Sequence, residues 1–106
     1  MNSKDKSIRE LAKRLGPDYR VTVIDFEPVV YRDFGNGFNV EISGMYTTNK
    51  KAKANLYLWN GEKYGARVVK TAMGVAREDI EIEVVKMHEY SKSLIEEGNK
   101  NKEENE

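Results

Sequence analysis

The chain has 106 residues, with 18 Lys and Arg against 18 Asp and Glu, one histidine and no cysteine. That length supports one domain with one modest core, and the missing cysteines exclude a disulfide framework or a thiolate metal site. No stretch is apolar for the ~18 residues a membrane span needs, and the polar start Met1–Lys6 has no apolar run behind it, so the chain reads as soluble and cytoplasmic. Charge is unevenly spread: residues 1–70 carry 13 basic against 8 acidic side chains, and residues 71–106 carry 5 against 10.

Ser3 to Leu15 predicts a first helix. Ile8, Leu11, Ala12 and Leu15 recur at helical spacing, Ser3 can cap the N-terminus, and Gly16-Pro17 stops the run. Lys6, Arg9 and Lys13 form a basic strip on another side. From Tyr19 the residues turn β-branched and aromatic, which predicts a strand of about 15 residues, bent or bulged near Glu27-Pro28. Gly35-Asn36-Gly37 predicts a turn into a second strand, where Phe38, Val40 and Ile42 alternate with Asn39, Glu41 and Ser43. Either register of that hairpin leaves Arg32 or Asp33 on the apolar side.

After the polar connection Gly44–Lys51, residues 52–69 carry the clearest pattern in the chain. A two-residue turn at Asn60-Gly61 would put Leu56 and Leu58 on one face with Lys63 and Arg67. A three-residue loop, Trp59-Asn60-Gly61, with Gly61 left-handed as a bulge, sorts the faces better. Ala52, Ala54, Leu56, Leu58, Tyr64, Ala66 and Val68 then share an apolar face. Lys53, Asn55, Tyr57, Lys63, Gly65, Arg67 and Val69 share the other. A one-residue slip exchanges whole faces, so burial selects the bulged loop, and Trp59 falls at an exposed turn. The last strand is expected to run to about Thr71, with Gly74 marking its end.

Asp79 to Glu97 predicts a second helix, with Ile80, Val84, Met87, Ser91, Leu94 and Ile95 on one side, although Ile80 and Ile82 alternate with Glu81 and Glu83, so the first few residues could instead extend the sheet. Gly98 ends it, and residues 98–106 read as a disordered tail. The expected architecture is therefore α+β: a four-stranded antiparallel β-meander with an N-terminal and a C-terminal helix (α-β-β-β-β-α), one domain over residues 1–97.

No catalytic constellation is present. His88, on the rim of the second helix's apolar stripe, has no partner that the sequence identifies. Glu78, Asp79, Glu81 and Glu83 lack the spacing and glycine of a calcium loop, and they stabilise a helix N-terminus without a metal. No catalytic residue, metal site or cofactor is assigned. The candidate partner-binding residues are Lys53, Tyr57, Trp59, Lys63 and Arg67, a set of aromatics interleaved with cations. Such a set suits an acidic protein surface, or nucleobases beside phosphates.

Of two resemblances, the first is set aside and the second bears on function. Lys50-Lys51-Ala52-Lys53 resembles the basic KKxAK motif of double-stranded-RNA-binding domains, but there the motif opens the last helix and here it enters a strand. The second covers the hairpin, loop and helix at the end of the ordered chain. Ile80-Glu81-Ile82-Glu83-Val84-Val85 is similar to the F-D-x-E-x-G pattern that opens the last helix in small accessory proteins of phages and mobile elements of low-GC Gram-positive bacteria. Val85 stands where glycine is usual. The resemblance implies a non-enzymatic inhibitor, anti-CRISPR-like, that docks on a host protein or protein–nucleic-acid complex in the bacterial cytoplasm. The alternative reading is a nucleic-acid-binding module that uses the hairpin face directly.

Overall fold

Strict alternation in two segments builds the middle of the sheet. Phe38, Val40 and Ile42 on one strand and Ala54, Leu56 and Leu58 on another are all buried, and these two strands pair from Phe38↔Asn60 to Ser43↔Asn55. The computed structural model describes residues 2–61 and 65–104, with side chains as far as residue 99. Its elements are α1 (Ser3–Leu15), β1 (Arg20–Ile24), β2 (Glu27–Asp33), β3 (Phe38–Ser43), β4 (Ala54–Asn60), β5 (Arg67–Val75), a 3-10 turn (Arg77–Asp79) and α2 (Ile80–Glu104). The strands form one antiparallel sheet in sequence order, β1 to β5. The protein is α+β.

Both helices lie on the same side of the sheet. Ile8, Leu11 and Ala12 of α1 and Ile80, Val84 and Met87 of α2 join one core with Val30, Val40, Ile42, Leu56 and Leu58. Full burial of each such aliphatic side chain stabilises by about 1.5–3 kcal/mol, so this one layer carries most of the hydrophobic stabilisation. The helix stripes predicted for both helices supply it. At the start of α1 the cap is Asn2, whose Oδ1 accepts the Asp5 N–H at 2.8 Å, one residue before the expected Ser3. Among the described residues, no helix lies over the other side of the sheet.

Five strands replace the expected four, because the long first strand is a hairpin. Asp25 and Phe26 have φ of 51° and 66°, a two-residue turn of type I′ that pairs Ile24 with Glu27. The turn carries neither of the glycine pairs that normally mark it: Asp tolerates the left-handed region, whereas Phe does not. Pro28 falls where its missing N–H does no harm. It sits opposite Val23, in a pair that exchanges no hydrogen bonds, and the β2–β3 ladder begins only at Val30.

The β4–β5 register also differs from the expected bulged loop. Leu58 faces Lys70, Leu56 faces Ala72 and Ala54 faces Val75, so the connection is longer than three residues. Trp59 and Asn60 are strand residues, held by β3 through the pairs with Asn39 and Phe38. Gly61 donates its N–H to the Gly37 carbonyl at 2.9 Å and does not take positive φ. Ala66 and Val68, expected inside, are exposed; Tyr64 lies outside the described residues. Pairing of β4's end with β3 outweighed the neater sorting of faces that a tight hairpin offered. Gly74 is not the strand's end: with φ of 65° it sits in an irregularity of β5, donating its N–H to Asn55 Oδ1 at 3.0 Å.

α2 continues through Gly98 to Glu104, past the stop and into the segment expected to be disordered. Gly98 does not adopt the left-handed cap conformation, and an interior glycine costs a helix only about 1 kcal/mol.

The strained turn gives a stability prediction. Phe26 is fully exposed, so removing its ring forfeits no packing. Phe26→Gly should stabilise the fold by about 1 kcal/mol, raising Tm by roughly 5 °C in a thermal melt. A lower Tm would show that the turn is not held at positive φ.

Candidate functional site

With the helices on one side, the opposite face of the sheet is open to solvent. Alternation assigns it Glu27, Val29 and Tyr31 from β2, Asn39, Glu41 and Ser43 from β3, Tyr57 and Trp59 from β4, and Val68 from β5. This face is a trough and not a plane. Val29, Glu41 and Ser43 are buried on it, although no helix covers them. A cavity of about 290 Å³ is lined by residues of all five strands, from Ile24 through Glu27, Glu41 and Tyr57 to Trp59 and Val68. Phe26 stands at the hairpin tip, next in sequence to Asp25, which lines the cavity.

Glu41 is the chemically unusual member. Only 8% of it is exposed, and its Oε1 accepts the Trp59 indole N–H at 3.1 Å. Burial pushes its carboxyl above the ordinary value, the indole hydrogen bond pulls it back, and the charges of Asp25 and Glu27 push it up again. Glu27 is anchored by accepting the Gly44 N–H at 3.3 Å. Further along, burial and the charge of Asp33 raise the Tyr31 hydroxyl's pKa, while Arg20, 4.8 Å from the ring, opposes them. Among the described residues the open face therefore sets Asp25, Glu27, Asp33 and Glu41 against Arg20 and, by alternation before Ala54, Lys53. It is acidic and aromatic.

The residues expected to bind a partner divide accordingly. Tyr57 and Trp59 share the trough, and Trp59 is half-buried in β4 instead of standing at a turn. Lys53 is exposed one residue before β4. Arg67 faces the other way: paired with Asn60, it lines a groove with Tyr90 and Leu94 of α2. Lys63 lies outside the described residues. Of the cations expected on this face, Arg67 is turned by the register toward α2, on the same side as Lys70, which sits 4.4 Å from the Tyr90 ring. Sequence reasoning missed Phe26, whose turn has no glycine to mark it. It also missed Glu41, although the Val40-Glu41-Ile42 alternation already pointed that carboxylate outward.

His88 is structural in its contacts. Its ring stacks on Phe34 with centroids 4.3 Å apart and planes 2° from parallel. Burial lowers its pKa, Lys92 and Arg32 lower it further, and Glu89 opposes them. Among the described residues, no three His, Asp or Glu side chains converge closely enough to hold a metal ion, and no helix is long and apolar enough to cross a membrane.

The chain is an α+β protein with one antiparallel sheet, both helices on one side of it and a trough on the other. Comparison with protein-family models, with curated protein sequences and with solved structures gives no match to this chain.

Glu41 yields a pH prediction whose sign follows from its raised pKa. The folded protein holds this proton more tightly than the unfolded chain does. Glu41 therefore costs no stability well below the carboxylate range and costs some once pH rises through it. Glu41→Gln keeps an oxygen for the indole N–H and removes the charge. Urea midpoints of wild type and Glu41→Gln should coincide below about pH 4 and separate by pH 7, with the variant more stable. A difference that is the same at both pH values would contradict the assignment.

Proposed function

We propose that this chain is a non-catalytic docking protein whose open trough seats on a cationic surface of a nucleic-acid-handling host protein. The observation that carries the reading is the conjunction of a fully exposed Phe26 in a strained turn with a carboxylate, Glu41, buried in the trough beside Glu27 and Asp25. Both features cost the isolated fold, and both are relieved by a partner that covers the ring and offers a cation to the carboxylates. Trp59 and Tyr57 provide rigid aromatic area between them. A protein that binds nucleic acid presents the complementary surface, since phosphates select arginine and lysine.

The phage or mobile-element inhibitor reading, anti-CRISPR-like, belongs to this proposal. It rests on the similarity of Ile80–Val85 to the opening of the last helix in such accessory proteins, and α2 does open at Ile80. An acidic trough suits blocking of a basic host surface. It suits direct nucleic-acid binding by the same face poorly, because Asp25, Glu27, Asp33 and Glu41 repel phosphate.

The test uses tagged wild type, Phe26→Gly and Trp59→Ala as baits in bacterial lysate, washed from 100 to 500 mM salt. A partner should be retained by wild type at low salt, be lost at high salt and be absent from both variants. Identical captured proteins for all three baits would remove the trough as the docking surface.

A further inference from the structure

A second charged surface lies among residues that play no part in the trough. Lys6 and Arg14 of α1, Lys50 of the β3–β4 connection and Arg77 of the 3-10 turn come from three separate parts of the chain. They line one open cavity of about 580 Å³ together with Ser3, Ser7, Glu10, Leu11 and Thr48. Arg14, Lys50 and Arg77 also line an adjoining cavity of about 330 Å³ together with Leu15 and the carboxylates Glu78 and Glu81. The two form one groove. In its larger part four cations face a single carboxylate, Glu10.

These cations are not consumed by the fold. The ion pairs among the described residues engage Arg32, Lys86 and Lys92, and none of the four. Arg77 lines both cavities, and its Nε is buried without a hydrogen-bond partner. Like charges brought together from three elements repel one another, and a bound polyanion removes that cost.

We propose that this groove holds the phosphate backbone of a nucleic-acid strand. Its donors are guanidinium, ammonium and hydroxyl groups, the set that non-bridging phosphate oxygens take. No aromatic ring lines either cavity, so nothing there stacks on a base, and the binding is independent of sequence. Apolar lining is confined to Leu11 and Leu15, too little to anchor an acidic protein segment. Lys6 and Arg14 are eight residues apart on α1, about 12 Å, which spans about three phosphates along one strand of a duplex. The proposal does not depend on the docking function of the trough: no trough residue lines the groove.

The experiment is fluorescence anisotropy with labelled 20-mer single- and double-stranded DNA at 50–200 mM NaCl, using the full chain. Wild type should bind with a log–log salt slope near −3. Lys6→Gln/Lys50→Gln, which changes only exposed side chains, should weaken binding about tenfold at 50 mM and reduce the slope by about 2. Arg14→Gln/Arg77→Gln should do the same, with thermal melts confirming that both variants fold. Trp59→Ala should bind as wild type does. No wild-type binding at 50 mM salt would overturn the proposal, as would groove variants within twofold of wild type. Competition by poly-glutamate as effective as by unlabelled DNA would also overturn it, in favour of an acidic peptide.

Discussion

The β3–β4 ladder is the constraint from which the rest of the fold follows. These strands lie at the middle of the sheet, paired from end to end, and their inward residues Val40, Ile42, Leu56 and Leu58 are fully buried. Because β3 holds β4 as far as Asn60, the tight hairpin that Asn60-Gly61 invites cannot form there. That fixes the β5 register, which in turn sends Arg67 and Lys70 to the helix side. One pairing preference thus decides the electrostatic sign of the opposite face. Stacking both helices on one side gathers the apolar residues into a single core, and it leaves the other side to polar and aromatic groups.

The open face carries costs that the fold alone does not explain. A bulky residue at positive φ and a carboxylate buried beside two others both reduce stability. Trp59 mitigates the second with one N–H, which satisfies one Glu41 oxygen and fixes the ring in the trough. The proposed docking on another molecule would relieve both costs. The groove beside α1 shows the same arrangement in the opposite sign, with four cations gathered and no ion pair among them. Among the described residues, carboxylates outnumber cations on the strand face, whereas cations outnumber carboxylates in the larger part of the groove formed by helix and loop.

Much of the architecture was legible in the sequence because it depends on periodicity. The α1 bounds, the inward sets of β3 and β4 and the buried stripe of α2 all follow from spacing of apolar residues. The missed features depend on pairing between segments or on single backbone conformations. Asp25-Phe26 turns the chain without a glycine, so composition reads straight through it as strand. The β4–β5 register was judged from two strands alone, whereas the third, β3, decides it. For the site, Tyr57 and Trp59 were found because alternation places them. Their neighbours were misassigned, because which charges lie beside them depends on that same register. The basic groove was only half visible: Lys6 stood out on α1, but nothing in the linear chain brings Lys50 and Arg77 to it.

The central claim is that β4 runs as strand to Asn60 and sets Trp59 over Glu41. Cross-strand nuclear Overhauser contacts test this most directly. The account predicts backbone contacts between Trp59 and Asn39 and between Tyr57 and Thr71. Contacts of Leu56 with Tyr64 and of Ala54 with Ala66 would mean a tight three-residue loop instead, and would contradict it.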